Sequence, residues 1–431
     1  MDAVIAAGGK GTRLGELTRE IPKCLLPVAG KPLLGLQLDE LARNGIGKAW
    51  LLTGHLGDSV DEYVEAYEGP IEIESIRETE PLGTGGSLAA LAGAFDEAFA
   101  FLYGDLVLSI DLARMRAFHD RSGATVTMLA HPNSHPYDSD LILAGPGGRV
   151  SGILRKSEER SGWLPNLVNA GLYIVAPELP AAIRPGVKQD FEKDILASRI
   201  DAGRVFAYRT AEYVKDMGTP ERLAQTEEAL ASGTVAARRL SNRQKAIFLD
   251  RDGTINEFDG LIRNPDQLRL LPGAAEAIKR INASPYLCFI VSNQPAAARG
   301  LCELADIETI NHKLETLLGR EGAFVDDIRY CPHHPDKGYP EENPALKIDC
   351  ECRKPKTGML VDLAARYNVD LGASYMIGDT SVDVATALAA GTKSILVSSG
   401  MKEEPPKYDA RPHLAVADLG AAVGTIFGRY I

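Results

Sequence analysis

One punctuation recurs along this chain and constrains its fold more than any other feature: a short apolar run, then a turn carrying Gly, Ser or Asp. Ala3–Ala7 runs into Gly8-Gly9, and Phe99–Tyr103 ends at Gly104-Asp105. After residue 245 the pattern restarts, with Ala246–Leu249 ending at Asp250, Tyr286–Val291 at Ser292 and Tyr375–Ile377 at Gly378-Asp379. Between the first runs, Leu33–Leu41, Asp58–Tyr67 and Ser87–Phe95 read as helices, and Ala49–Thr53 and Ile71–Ile76 as strands. This βαβα order predicts an α/β fold, a mostly parallel Rossmann-like sheet with helices on both faces. Open sheets of this kind bind ligands at the carboxyl ends of their strands, where the polar residues gather. The series occurs twice, so two α/β domains are expected, each with its own site. A chain of 431 residues accommodates them at about 100–200 residues per domain. The Ala- and charge-rich stretch 221–244 reads as a closing helix and a linker, which sets the domains at 1–232 and 245–431 with a linker at 233–244.

A net charge of −12 disfavours nucleic acid and anionic membrane as partners. No run of about 18 apolar residues is present to cross a bilayer. The N-terminus lacks the basic and apolar regions of a signal peptide, so the cytoplasm is the expected compartment. Nothing in the composition fixes the oligomeric state, and a homo-oligomer stays open. Three of the six cysteines crowd into 22 residues beside a histidine, which points to metal rather than disulfides.

The first strand opens into Gly8-Gly9-Lys10-Gly11-Thr12-Arg13-Leu14. Glycines there let backbone N–H groups approach a phosphate, and Arg13 and Lys23 supply fixed positive charge for a triphosphate. Neither GxGxxG nor the Walker pattern is present. The longer string, Ala6 through Leu14, then Pro22-Lys23, Pro27 and Gly30-Lys31-Pro32, resembles the sugar-1-phosphate nucleotidyltransferase signature. Glu80-Pro81-Leu82-Gly83-Thr84-Gly85-Gly86, Gly104-Asp105, Asn169-Ala170-Gly171-Leu172-Tyr173 and Asp216-Met217-Gly218-Thr219-Pro220 follow in that family's order. The resemblance covers about residues 1–230 and implies a GT-A-like domain in which a sugar 1-phosphate attacks a nucleoside triphosphate and pyrophosphate leaves. It implies that Gly8, Gly9, Gly11, Thr12, Gly83 and Thr84 hold the nucleotide and sugar. Asp105 and Asp216 would hold Mg²⁺, Arg13 would stabilise pyrophosphate, and Lys23 would grip the α-phosphate or the sugar phosphate. Lys156 would meet the sugar phosphate and Asn169 the sugar hydroxyls. Asp216 also reads as part of a plain turn, and Lys156 as part of a solvated Arg155-Lys156-Ser157-Glu158 segment.

In the second half, Asp250-Arg251-Asp252-Gly253-Thr254 places two carboxylates two residues apart past a strand end. One can act as nucleophile while the other serves as acid and base. Ser292-Asn293-Gln294, Arg353-Lys354-Pro355 and Gly378-Asp379 follow, supplying a hydroxyl, two cations and another carboxylate. In this order they resemble the haloacid dehalogenase-like phosphatases over about residues 245–400. That resemblance implies Asp250 as nucleophile and Asp252 as acid and base. Ser292, Asn293, Arg353 and Lys354 would surround the phosphoryl group. Mg²⁺ would be held by Asp250, the Asp252 carbonyl and Asp379, with Asp383 orienting Lys354 or the metal's surroundings.

Cys331, His333, Cys350 and Cys352 form a Cys₃His set of the kind that holds structural Zn²⁺, although the spacings are C-x-H and C-x-C. With that loop the motifs resemble the heptose-1,7-bisphosphate 7-phosphatases and their histidinol-phosphatase relatives. Two departures stand out: Pro295-Ala296-Ala297 replaces the family's Ser-Gly-Ile, and Thr380 stands where a lysine often follows the aspartate. The nucleotidyltransferase half resembles the heptose-1-phosphate guanylyltransferase type. Consecutive steps on one chain would convert heptose phosphates and GTP into GDP-heptose. Two alternatives stay open: another sugar phosphate with UTP, dTTP or CTP, or one half acting as a non-catalytic regulatory module.

Overall fold

The computed structural model describes residues 1–9, 11–258, 260–400 and 405–428. It falls into two compact units. One comprises Met1–His131, Ile142–Leu154 and Asn169–Arg239; the other comprises Pro132–Leu141, Arg155–Val168 and Leu240–Ile431.

In the first unit, the Ala3–Ala6 strand lies between Lys48–Thr53 and Phe99–Tyr103, parallel to both, and Glu72–Arg77 continues the parallel set beyond Lys48–Thr53. Ile5, Leu51 and Leu102 sit in one apolar core with Leu34 and Leu38 of the Leu33–Arg43 helix. The sheet is mixed rather than mostly parallel, because Val168–Val175 pairs antiparallel with Phe99–Tyr103.

One further expectation is corrected here. The stretch 87–95 forms only a 3₁₀ turn, Gly86–Leu91, because Gly93 takes a left-handed φ of +79° just past it and the chain cannot continue as a helix. In the linker stretch, after the Pro220–Ala231 helix, Thr234–Ala237 makes another helical turn. Arg239 then pairs with buried Glu40 and donates to Asn44 Oδ1 at 2.9 Å, which fastens the end of this stretch to its own unit.

The second unit carries a six-stranded parallel sheet in the order Asp327–Cys331, Tyr286–Asn293, Lys245–Leu249, Tyr375–Gly378, Lys393–Val397, Leu414–Val416. Its central strands are apolar on both faces, as parallel sheets covered by helices require: Ala246–Leu249 and Leu287–Val291 have no exposed surface. The helices Ala274–Asn282 and Leu304–Arg320 contribute Ile278, Ile281, Leu314 and Leu318 to this core. Asp250, Asn293 and Asp379 thus stand at or just past the carboxyl ends of three adjacent strands. No helix among the described residues is long and apolar enough to cross a membrane.

Candidate functional sites

In the first unit a cavity of about 350 Å³ opens at the carboxyl ends of the parallel strands, within the size range of small-molecule sites. Gly8, Gly9, Gly11, Lys23, Gly83, Thr84 and Asp105 all line it, as do Cys24, Glu78 and Tyr103. Lys10 and the side chain of Thr12 lie outside the described residues. Gly83 is required by the backbone: its φ is +81°, and a Cβ would stand 2.5 Å from the Gln189 carbonyl oxygen.

Asp105 accepts from Lys23 Nζ at 2.5 Å. Asp216 follows from strand register: Tyr213–Asp216 pairs antiparallel with Leu106–Ser109, setting Asp216 opposite Leu106. Met217 N–H then donates to the Asp105 carbonyl at 2.7 Å. Both Asp216 oxygens accept from Arg222 Nη1 at 2.6 Å. A Cβ on Gly218 would lie 2.6 Å from Asp216 Oδ2 and 3.2 Å from Arg13 Nη2, so both side chains lie beside that glycine. Two carboxylates, one in the turn before Leu106–Ser109 and one at the end of its partner strand, are hard oxygen donors suited to a divalent cation. Such an ion would compete with Lys23 and Arg222 for them.

Asn169 sits in a polar cluster. Its Nδ2 donates to Tyr173 Oη at 2.6 Å and Glu192 Oε1 at 2.7 Å. Tyr103, which lines the cavity, donates to the same Glu192 oxygen at 3.2 Å. Burial raises both tyrosine hydroxyls well above their usual range, with Glu192 adding to the effect, so they serve as neutral donors. In the sequence Tyr173 stands out only as the end of the Asn169 motif, and neither Glu192 nor Tyr103 is singled out. Only a carboxylate after Asp190, in a segment with no periodic signal, marked the place. Lys156 is exposed, lies in the second unit, pairs with Asp138 at 3.5 Å, and donates its backbone N–H to Asp140.

In the second unit Asp250, Asp379 and Asp383 bring carboxylate oxygens within 4.8 Å of one another. Lys354 Nζ, almost fully buried, lies 2.9 Å from Asp250 Oδ1 and 2.6 Å from Asp383 Oδ1. Burial, reinforced by Asp383, pushes Asp250 up to about 6 despite Lys354. Burial alone would lower the Lys354 ammonium, but Asp250 and Asp383 outweigh it and raise its pKa. Thr380 Oγ1 holds the other Asp383 oxygen at 2.7 Å. Asp379 is crowded by backbone: a Cβ on Gly253, whose φ is +81°, would stand 2.2 Å from Asp379 Oδ2. Only glycine leaves that carboxylate its place.

Asp252 is gripped by Arg251, Gln294 and Asn256. Burial would raise its carboxyl, but these donors hold it below the usual range. Gln294 Nε2 also donates to Ser292 Oγ at 2.9 Å. Asn293 and Lys354 exchange two bonds, Asn293 Nδ2 to the Lys354 carbonyl and Lys354 N–H to Asn293 Oδ1, each 3.0 Å. These fix the cationic turn against the strand end. Arg251 and Asn256 lie inside or beside the Asp-x-Asp motif, yet the sequence offered no sign that they face inward.

Arg353 reaches back to the His333 carbonyl at 2.9 Å, tying that turn to the cysteine loop. Cys331 Sγ lies 3.4 Å from Cys350 Sγ, Cys352 Sγ is 3.2 Å from Cys350 Sγ, and His333 Nδ1 is 3.3 Å from Cys352 Sγ. A tetrahedron of thiolates about 2.3 Å from an ion has edges of about 3.8 Å. The four donors therefore already approximate a closed metal cage, and His334 stands outside it.

Residues 2–233 match the Nucleotidyl transferase family, and residues 351–422 the HAD-hydrolase-like family. The D-glycero-beta-D-manno-heptose-1,7-bisphosphate 7-phosphatase of Rhodopseudomonas palustris is 42% identical over 149 residues, which are 35% of this chain and 81% of that protein. The Escherichia coli protein of the same name is 37% identical over 182 residues, 41% of this chain and 93% of its own. Among solved structures, HddC from Yersinia pseudotuberculosis covers 53% of this chain and 99% of its own, at 24% identity and a TM-score of 0.47. The glycine-lined cavity and the buried Asp-x-Asp cluster thus each have a family behind them: the chain belongs to the nucleotidyl transferase family, its C-terminal half belongs with the HAD-like phosphatases, and it is a nucleotidyltransferase and a phosphatase in one polypeptide.

Proposed function

We propose that the chain removes the 7-phosphate of D-glycero-D-manno-heptose 1,7-bisphosphate and transfers GMP from GTP to the resulting heptose 1-phosphate, giving GDP-heptose for glycan synthesis in the cytoplasm. The observation that carries this reading is the likeness of the C-terminal half to heptose-bisphosphate phosphatases across most of their length. Its product would bear the 1-phosphate that a sugar nucleotidyltransferase consumes, and the N-terminal half matches the Nucleotidyl transferase family.

In the phosphatase, Asp250 attacks phosphorus as the bond to the sugar oxygen breaks, and Asp252 gives that oxygen a proton. Water then cleaves the aspartyl-phosphate while Asp252 takes a proton back. Ser292 and Lys354 hold the transferring oxygens. Asp250, the Asp252 carbonyl and Asp379 would hold Mg²⁺, which supplies charge neutralisation at the phosphoryl group. In the transferase, Asp105 and Asp216 would hold Mg²⁺, while Lys23 and Arg13 orient the phosphates. Cys331, His333, Cys350 and Cys352 would hold Zn²⁺ and so fix Arg353. Cys352→Ser is expected to lower zinc from about one ion per chain and to reduce phosphatase kcat/KM on the order of 10- to 100-fold. Pyrophosphate release should be unchanged; metal analysis beside both assays checks this.

The substrate assignment is tested by supplying heptose 1,7-bisphosphate, Mg²⁺ and each of GTP, ATP, UTP, CTP and dTTP. Phosphate release followed by pyrophosphate with GTP alone is the expected result. Pyrophosphate with another nucleotide moves the product, and no phosphate release sinks the heptose reading.

A further inference from the structure

Arg251 has no exposed surface and is the largest fully buried side chain among the described residues. A guanidinium cannot shed its proton, so it must find acceptors inside the protein. It finds two. Its Nε and Nη2 form a fork on the next residue, donating to Asp252 Oδ1 at 2.9 Å and Oδ2 at 3.1 Å. Its Nη1 donates to Oδ1 of Asn311, 3.0 Å away on the Leu304–Arg320 helix, and Asn311 is itself buried.

Asn256 Nδ2 adds a contact to Asp252 Oδ1 at 3.0 Å, and Gln294 Nε2 one to Oδ2 at 2.7 Å. A carboxylate offers about four acceptor sites, and here all are filled. The fork is charge-assisted and rigid. Gln294 is shared with Ser292, so it can release Asp252 without being stranded. The fixed side of the clamp is therefore Arg251, and the yielding side is the one nearer the phosphoryl pocket.

We propose that Arg251, anchored by Asn311, is a positioning residue that holds Asp252 in line to protonate the leaving sugar oxygen and then to deprotonate water. This rests on the acid–base role given to Asp252 above. The balance closes over a turnover: the proton Asp252 takes from water, as the aspartyl-phosphate bond breaks, is the one it gives to the next leaving alkoxide.

Leaving-group dependence separates positioning from mere support of the core. A p-nitrophenolate departs without a proton, whereas a sugar alkoxide does not. The ratio kcat/KM reports steps only through phosphoryl transfer to Asp250, so water activation does not enter it. Arg251→Met is expected to cut kcat/KM for the sugar phosphate about 100-fold and for p-nitrophenyl phosphate by less than about 3-fold. Asn311→Leu should cut the first about 10-fold with the same selectivity, and it carries the test if Arg251→Met does not fold. Equal losses on both substrates in these variants overturn the proposal. So does an unchanged Arg251→Met beside an Asp252→Asn variant that shows the split. An Asp252→Asn variant without the split removes the acid–base reading itself, and the proposal with it.

Discussion

Asp250→Asn is expected to abolish phosphate release, by on the order of 10⁴-fold or more, while leaving pyrophosphate release from sugar 1-phosphate and nucleotide intact. The amide keeps the shape of the side chain but has no anionic oxygen to attack phosphorus. The fold should not suffer. Asp250 sits among like charges, with Asp383 and Asp252 alongside, and its burial already disfavours ionisation. Lys354 keeps its 2.6 Å partner Asp383. A neutral isostere therefore relieves repulsion, and in metal-free buffer the variant's Tm should be no lower than the parent's. Paired assays of phosphate and pyrophosphate, with a thermal melt, check all three statements. Phosphate release surviving in this variant would remove Asp250 as nucleophile.

What was legible in the sequence follows from what repeats locally. Apolar runs ending in Gly or Asp are short-range signals, and they place Asp105, Asp250 and Asp379 at strand ends without reference to anything distant. The cysteine cage was legible because its ligands come in two close pairs. Long-range relations were not. The antiparallel entry of Val168–Val175 depends on its pairing with Phe99–Tyr103, far earlier in the chain, which no residue in that strand announces. The fork of Arg251 onto Asp252 needs a side chain to turn inward, and an arginine in a turn reads as solvated until Asn311, 60 residues on, is seen opposite it. Glu192 was missed for the same reason: its partners Tyr103 and Asn169 lie 89 and 23 residues away. Lys156, which precedes the Asn169 strand in sequence, contacts Asp138 and Asp140.

Asp105→Asn is expected to lower nucleotidyl transfer by about 10³-fold and to leave phosphatase kcat/KM unchanged. Two effects combine. The variant loses an anionic donor for the divalent cation at the turn where the Met217 N–H, next to Asp216, donates to the Asp105 carbonyl. It also frees Lys23, whose ammonium is now oriented by the 2.5 Å contact with Asp105, so a phosphate ligand is gripped from a less defined position. The two contributions can be told apart by titrating Mg²⁺. If metal affinity dominates, raising Mg²⁺ restores much of the rate; if Lys23 orientation dominates, the rate stays low at saturating metal and KM for the sugar phosphate rises. Lys23→Met, with Asp105 intact, should reproduce only the second pattern. A variant at Asp105 that transfers nucleotide at the parent rate, with the parent's Mg²⁺ dependence, would show that the cavity works without this carboxylate and would move the metal to other donors.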